Sequence, residues 1–174
     1  MANTLNFIFG LLAIVAQLAV IWLLLSWLFG WKSPEFARSH ALLLAFATAL
    51  IATLGSLTYS EILGYEPCKL CWIQRIFMYP QALILGLAIW GKHKGVNALL
   101  DVSLVLSVIG ALVAAYHYLM QLGIVPEGSC AAVGYSVSCA KVFVMQFGYI
   151  TIPLMAFSAF LLIIASLRLL RRQE

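Results

Sequence analysis

Long apolar stretches alternate with short polar segments along the whole chain. Five of these stretches carry few or no charged side chains, and each has the roughly 20 residues that an α-helix needs to cross the hydrocarbon core of a bilayer. They cover residues 5–31, 41–60, 68–90, 97–122 and 142–167. The pattern therefore predicts an all-α fold, an integral membrane helical bundle of five spans.

The first stretch, 5–31, has a rival interpretation as a secretory signal peptide. A signal peptide has a basic N-terminal region, a shorter apolar core and a cleavage site of small residues. Residues 1–31 contain no charged side chain, and the stretch shows none of these features clearly. We therefore expect a retained membrane helix.

The composition excludes an ordinary soluble domain. The chain is 64% hydrophobic and 9% charged, with a mean hydropathy of +1.05, whereas soluble domains carry about 25% charged residues. Because the connections between spans are too short to build a soluble domain, we expect residues 1–174 to form a single membrane domain. The net charge of +4 does not indicate a nucleic-acid partner, because the basic residues lie at span ends, where the positive-inside rule explains them.

The lysines and arginines divide unequally between the two ends of the predicted spans. Seven of the ten fall on one side: Lys32, Arg38, Lys92, Lys94, Arg168, Arg171 and Arg172. The richer side is cytoplasmic by the positive-inside rule, so the C-terminus is expected in the cytoplasm and the N-terminus outside. All four cysteines then lie on the extracytoplasmic side, where disulfides form and persist.

Two thiols and a cation stand at the start of the third span. If the helix begins near Pro67, whose missing N–H suits a first turn, then Cys68, Cys71 and Arg75 follow at i, i+3 and i+7 on one face. The positive end of the helix dipole and the Arg75 charge both favour the reactive thiolate. The pattern favours a redox-active pair over a plain disulfide or two inert buried cysteines.

A second pair, Cys130 and Cys139, lies in the longest predicted loop, 123–141, on the same side of the membrane. One interpretation is a disulfide that staples the loop, because connectivity cannot be deduced from spacing. Another is a relay in which two pairs exchange disulfides through thiolate attack. Metal binding by four cysteines ranks lower, because the nine-residue step from Cys130 to Cys139 is unlike the short second knuckle of a zinc site.

A relay that makes disulfides must lose two electrons to an acceptor. The sequence has no flavin- or nucleotide-binding pattern and no C-x-x-C-H haem motif, so a lipid-soluble acceptor near Cys71 is expected. His117 lies in the fourth span near the same interface as Arg75, and ionisable groups inside membranes are functional candidates. The two side chains are expected to hydrogen-bond the carbonyl oxygens of a quinone; the alternative for His117 is a bond that joins neighbouring helices.

The motifs together resemble the DsbB/BdbC-type disulfide-bond formation proteins. The segment 68–75, CKLCWIQR, is similar to the family's CxLCxxxR signature, and Met78-Tyr79-Pro80, His117 and Gln121-Leu122 follow in the family's order. The resemblance covers about residues 41–167. It implies a quinone-dependent thiol:disulfide oxidoreductase of the bacterial inner membrane that supports disulfide formation in secreted proteins.

The resemblance also implies roles for the site residues. Cys71 would face a quinone, ubiquinone or menaquinone, that Arg75 and His117 help to bind. Cys130 would take the mixed disulfide with a soluble thioredoxin-like dithiol oxidase, while Cys139 would exchange with Cys68. The quinone pool would then regenerate the disulfide of the first pair.

Two features depart from the family pattern. The family core has four spans, so 41–167 is expected to form a four-helix redox core and 5–31 an extra N-terminal helix. The loop between Cys130 and Cys139 is shorter than in the best-known members.

Vitamin K epoxide reductase-like proteins share the chemistry, but they place the loop cysteines before the CxxC motif, an order reversed here. Two competing hypotheses are a transporter or channel with structural disulfides and a subunit that only anchors a redox complex. The transporter predicts polar side chains along a path through the bilayer midplane, and the spans are nearly devoid of them.

Overall fold

The structure is a computed structural model, and it describes residues 2–30, 35, 39–91, 95–127, 130 and 137–171. Several residues used in the orientation prediction lie outside this described part: Lys32, Arg38, Lys92, Lys94 and Arg172.

Five helices account for most of the described residues: α1 (Ala2–Leu28), α2 (Ala41–Leu57), α3 (Lys69–Trp90), α4 (Val96–Gln121) and α5 (Ile152–Arg171). A π-helical turn, Thr58–Ile62, extends α2. All five are long and apolar enough to cross a membrane. The described residues contain an isolated bridge but no strand, so the prediction of an all-α fold with five membrane helices is confirmed.

The start of the fifth helix was predicted wrongly. The apolar stretch 142–167 reads as one span, but α5 begins at Ile152 and continues to Arg171. Before it, Gln146 and Ile150 exchange two backbone hydrogen bonds of 2.9 Å across a tight turn. Phe147 and Gly148 have φ angles of 53° and 79° in that turn, and this left-handed pair cannot belong to a right-handed helix.

Helices α2 to α5 pack in a ring in which each contacts two neighbours, and α1 packs outside the ring against α5. Small residues allow close approach: Ala45 and Ala49 of α2 are fully buried, and a Cβ at Gly110 of α4 would overlap the Phe160 ring of α5. Lipid supplies no hydrophobic force between helices, so such tight van der Waals packing stabilises the bundle.

A buried polar cluster joins α3 to α4 in the middle of the bundle. The Oε1 atom of Gln81 accepts hydrogen bonds from Ser103 and Ser107, each 2.9 Å long. Its Nε2 atom donates to the Phe77 carbonyl at 2.9 Å, one turn back, where α3 passes through Pro80 without interruption. The cluster satisfies polar groups that the bilayer core cannot.

The ring brings three chain segments together at one end. The N-terminus of α3, the C-terminus of α4 and the loop before α5 meet there, and their side chains form a small buried cluster of Cys68, Met120, Cys130 and Cys139. This end of the bundle holds the candidate site.

Candidate functional site

Cys68 is the N-cap of α3. It has an extended backbone (φ −71°, ψ 173°), and its Sγ accepts a hydrogen bond from the Cys71 N–H at 3.3 Å. The two sulfurs are 2.8 Å apart and form no disulfide with each other. The sulfur of Cys68 therefore stands at the positive end of the helix dipole, in direct contact with a second thiol.

His117 of α4 lies between the two cysteine pairs. Its Nε2 atom is 3.0 Å from the Cys139 carbonyl oxygen and 3.7 Å from the Cys68 sulfur. A carbonyl only accepts hydrogen bonds, so Nε2 carries the proton. The Nδ1 atom, 2.8 Å from Gln74 Nε2, then accepts from the Gln74 amide, and this bond sets the tautomer of the ring.

The surroundings of Cys68 favour its thiolate. The hydrogen bond from the Cys71 thiol, helped by His117 and opposed by burial, lowers the pKa of Cys68 from 9.0 to about 5. The hydrogen bonds act by stabilising the charged form, whereas burial penalises it. At neutral pH a reduced Cys68 is therefore a nucleophile.

Cys130 and Cys139 are joined in a disulfide, with their Cα atoms 5.8 Å apart. The Cys68 sulfur, the Cys139 sulfur and a His117 ring nitrogen all lie within 4.8 Å of one another. Glu127 holds the loop in place, because its carboxylate accepts hydrogen bonds from the Ser138 hydroxyl and from the Ala140 N–H. The loop thus presents one sulfur of its disulfide to Cys68.

The same three atoms are close enough to hold a metal ion. Thiolates bind metals, however, and a sulfur engaged in a disulfide is not a thiolate. With Cys139 bonded to Cys130, the cluster is arranged for sulfur exchange.

Arg75 is anchored on α2. Its Nε donates to the Ser56 hydroxyl at 3.0 Å and its Nη2 to the Ser56 carbonyl at 3.1 Å. The guanidinium carbon lies 5.1 Å from the Trp72 ring and 5.9 Å from the Tyr79 ring, within the range of cation–π attraction. The Tyr79 hydroxyl also donates to Ser56, at 3.1 Å.

A cavity of about 330 Å³ opens beside this anchor, between α1, α2, α3 and α5. Its polar lining is concentrated next to the first cysteine pair, where Cys71, Gln74, Arg75, Ser56 and Tyr79 meet. The rest of its wall is almost entirely apolar. The cavity therefore has one end of polar and redox-active groups and a long hydrocarbon interior.

The predicted site residues lie at one end of the bundle, but only some of them line the cavity. Cys71 and Arg75 line the cavity, while Cys68 contacts both Cys71 and the loop disulfide. His117 does not line the cavity; it is 1% exposed and touches the cavity wall through Gln74.

Sequence reasoning missed Gln74, Ser56 and Tyr79. Gln74 carried a usable signal, since it is a polar side chain inside a span, one turn beyond Cys71. Ser56 carried none, because its importance comes from Arg75, a residue on another helix.

The comparisons with known proteins agree with this geometry. The family profile described as "Disulfide bond formation protein DsbB" matches residues 37–170. The chain is 47% identical over 138 residues to the "Probable disulfide formation protein" of Oceanobacillus iheyensis, covering 78% of this chain and 91% of the relative. No solved structure gave a significant match.

Two Bacillus proteins are also similar. The "Probable disulfide formation protein C" of Bacillus cereus is 43% identical over 129 residues, covering 74% of this chain and 90% of the relative. The "Disulfide bond formation protein C" of Bacillus subtilis is 42% identical over 135 residues, covering 75% and 91%. The matched region contains the four helices α2 to α5 and all four cysteines, and so the chain belongs to the DsbB family of disulfide bond formation proteins, multi-pass membrane thiol:disulfide oxidoreductases that reoxidise thiol partners.

Proposed function

We propose that this chain oxidises a soluble thioredoxin-like dithiol protein outside the cytoplasm and passes the two electrons to a membrane quinone. The observation that carries the proposal is a series of closely spaced sulfur atoms that leads from the loop disulfide to the cavity. The Cys139 sulfur lies within 4.8 Å of the Cys68 sulfur, and Cys68 lies 2.8 Å from Cys71, which lines the cavity.

The first exchange takes place at the loop disulfide. A thiolate of the partner attacks Cys130, forms a mixed disulfide and releases Cys139 as a thiolate. The partner's second thiolate then attacks its own sulfur in that mixed disulfide, which yields an oxidised partner and a reduced loop pair. Two electrons and two protons have passed from the partner to Cys130 and Cys139.

The second exchange joins the two pairs. Cys139, as a thiolate, attacks Cys68 in the oxidised form of the first pair and displaces Cys71. Cys130 then attacks Cys139, which restores the loop disulfide and leaves Cys68 and Cys71 reduced. This is the redox state of the structure, with Cys68 and Cys71 unbonded and Cys130 joined to Cys139.

The cavity fits a quinone in shape and in chemistry. Arg75 and Tyr79 supply cationic and hydroxyl groups next to Cys71, where an acceptor's carbonyl oxygens gain negative charge on reduction. The apolar remainder of the cavity suits a hydrocarbon tail. A bound quinone supplies the two-electron acceptor that reoxidises the first pair; the chain supplies the thiolate, the cation and the dry surroundings.

We assign His117 to the exchange between the pairs. Its Nε2–H faces both the Cys139 carbonyl and the Cys68 sulfur, so it stabilises a thiolate at Cys68 and orients the loop. Direct contact of His117 with the quinone stays a prediction, and Gln74 is the link through which it would reach the cavity.

We also propose a bacterial inner-membrane location with the cysteines outside. Arg168 and Arg171 stand in the last turn of α5, while the cysteine cluster lies near the other end of the same helix, where Pro153 borders the small pocket beside Cys68. The positive-inside rule then places the arginines in the cytoplasm.

The test is electron transfer by the purified protein from a reduced thioredoxin-like protein to a soluble quinone analogue. We expect Cys71→Ser to abolish quinone reduction and Cys139→Ser to trap a mixed disulfide between Cys130 and the partner. Leu83→Ala, a lipid-facing change on the same helix at a side chain 74% exposed, is the matched control. Normal quinone reduction by Cys71→Ser would refute the proposal.

A further inference from the structure

The helix that lies outside the matched family region forms part of the cavity wall. The family profile begins at residue 37, whereas α1 ends at Leu28. Six α1 residues nevertheless line the cavity: Phe9, Leu12, Ala13, Val15, Ala16 and Ala19. The site beside Cys71 is therefore enclosed by a helix that the family pattern does not include.

Specific contacts hold α1 in this position. Gln17 donates a hydrogen bond to the Ser158 hydroxyl of α5 at 3.1 Å and accepts one from the Tyr149 hydroxyl at 3.0 Å. The Phe9 ring lies 5.4 Å from the Tyr59 ring and fills the space above Gly55, where an added Cβ would come within 3.0 Å of it. Polar bonds of this kind inside a membrane fix the rotation of a helix about its axis.

The cavity is long and narrow, and α1 follows its apolar part. Along α2 and the π-helical turn that extends it, the lining runs from Leu44 to Tyr59, about 22 Å at the helical rise of 1.5 Å per residue. On α1 it runs from Phe9, beside Tyr59, to Ala19, about 15 Å by the same rise. The α1 part of this lining, which we call the tail path, spans about half of the hydrocarbon thickness of a bilayer.

Small side chains on α1 keep this path open. Ala13, Ala16 and Ala19 recur every three residues along the lining face, while Leu18, on the opposite face of the helix, is 62% exposed. Three leucines in place of these alanines would fill the space. A ligand that suits the path has one polar, redox-active end near Cys71 and one flexible hydrocarbon chain.

We propose that α1 is the wall of a channel for the polyprenyl tail of the quinone, so that this helix makes the enzyme prefer long-tailed quinones over ring-only ones. The inference rests on the proposed function, because it assumes that the ring of the acceptor binds beside Cys71 and Arg75.

The experiment compares a quinone that carries several isoprene units with a tailless quinone of the same ring. For Ala16→Leu and Ala19→Leu, we expect the ratio of the KM for the tailed quinone to that for the tailless quinone to rise on the order of tenfold, because each variant displaces one or two methylene groups of tail. Leu18→Trp, which adds bulk on the lipid-facing side of the same helix, should leave the ratio unchanged. If neither Ala16→Leu nor Ala19→Leu changed this ratio of KM values, the inference would be overturned.

A second measurement uses the unsubstituted protein and avoids the question of folding. A quinone with a photoreactive group at the end of its tail should label α1, and the tailless quinone should not compete as well as the tailed one. Labelling confined to other helices, or a tail site already held by a co-purified phospholipid that the tailed quinone fails to displace, would overturn the inference. If the unsubstituted protein reduces no quinone at all, the proposed function fails instead.

Discussion

Cys68 combines three local features in one sulfur atom. It caps α3, it contacts the Cys71 thiol, and it lies within 3.7 Å of the His117 ring. Each feature favours negative charge on the sulfur, and together they outweigh the burial of the side chain, which is 2% exposed. The result is a thiolate that is kept reactive while shielded from water.

The lowered pKa of Cys68 predicts the pH dependence of the reduced protein. In a variant that carries both Cys130→Ser and Cys139→Ser, thiolate ultraviolet absorbance should rise through a midpoint near the Cys68 pKa of about 5 rather than near 9.0. Because the folded-state pKa lies below the unfolded value, the associated stability is complete above about pH 9, decreases as the pH falls, and is absent below about pH 5. Adding His117→Ala should raise the midpoint, and a midpoint already near 9 would contradict the arrangement.

Gln74 positions His117, and its replacement should disturb the exchange between the cysteine pairs. Gln74→Leu removes the amide that donates to Nδ1 at 2.8 Å, leaving a buried ring nitrogen without a partner, which costs about 1–3 kcal/mol of stability. We expect slower disulfide exchange between the pairs and a raised pKa of Cys68, measured by stopped-flow mixing and by thiolate absorbance.

Gln74→Glu tests whether another side chain that hydrogen-bonds Nδ1 can position His117 in place of the Gln74 amide. A carboxylate accepts a hydrogen bond from Nδ1–H of a doubly protonated imidazolium ring, whose Nε2–H continues to face the Cys68 sulfur, so this variant should keep rapid exchange. If Gln74→Leu matched the unsubstituted protein in both rate and pKa, Gln74 would have no positioning role.

At the scale of helices, close packing depends on residues without bulky side chains. Gly110 of α4 lies against Phe160 of α5, a fully buried ring at the centre of the bundle. The end of α4 carries His117 and the start of α5 follows the cysteine loop, so we expect a wider spacing of α4 and α5 at this contact to move His117 away from the loop.

Gly110→Val should therefore lower both stability and activity. Overpacking a well-filled core typically costs about 1–3 kcal/mol, seen as a lower midpoint of thermal unfolding in detergent. Val105→Leu, on the same helix at a side chain 57% exposed, should leave the midpoint unchanged. Equal midpoints for the two variants would show that α4 and α5 do not depend on this contact.

For the molecule as a whole, the important property is that its two ends differ. The cysteine cluster and the polar mouth of the cavity lie at one end, and the α5 arginines lie at the other, where Arg171 pairs with Asp101 of α4. Under the proposed function, a soluble protein partner reacts at the end that holds the cysteines, while a quinone reaches the cavity from within the membrane.

This sidedness predicts a labelling pattern in intact cells. In a variant without the four native cysteines, a membrane-impermeant thiol reagent should modify a cysteine introduced by Glu66→Cys in intact cells, because this position is exposed at the cysteine end. A cysteine introduced by Arg168→Cys should react only after the membrane is permeabilised. Labelling of the Arg168→Cys variant in intact cells would reverse the proposed orientation.

The local sequence pattern was sufficient to predict the number of membrane helices and the position of the first cysteine pair. The apolar lengths predicted five membrane helices, because the bilayer sets a fixed thickness for any span. The spacing of Cys68, Cys71 and Arg75 predicted that a cysteine pair stands at a helix start, because helix geometry alone brings i, i+3 and i+7 to one face, and Cys68 is the N-cap of α3. The reactivity of the pair stays a prediction. Pattern failed at 142–151, where hydropathy cannot distinguish an apolar turn from a helix and Phe147 adopts a left-handed backbone.

Tertiary structure alone decided how the pieces meet. His117, 43 residues from Gln74 by sequence number yet hydrogen-bonded to it, stands between the cysteine pairs because α3 and α4 pack side by side. Ser56 holds Arg75, and α1 closes the cavity, through contacts between helices that no periodicity encodes. Sequence determines which helices form and which side chains each carries, because those interactions are local; the relative rotation of the helices depends on packing between distant segments, and that rotation builds the site.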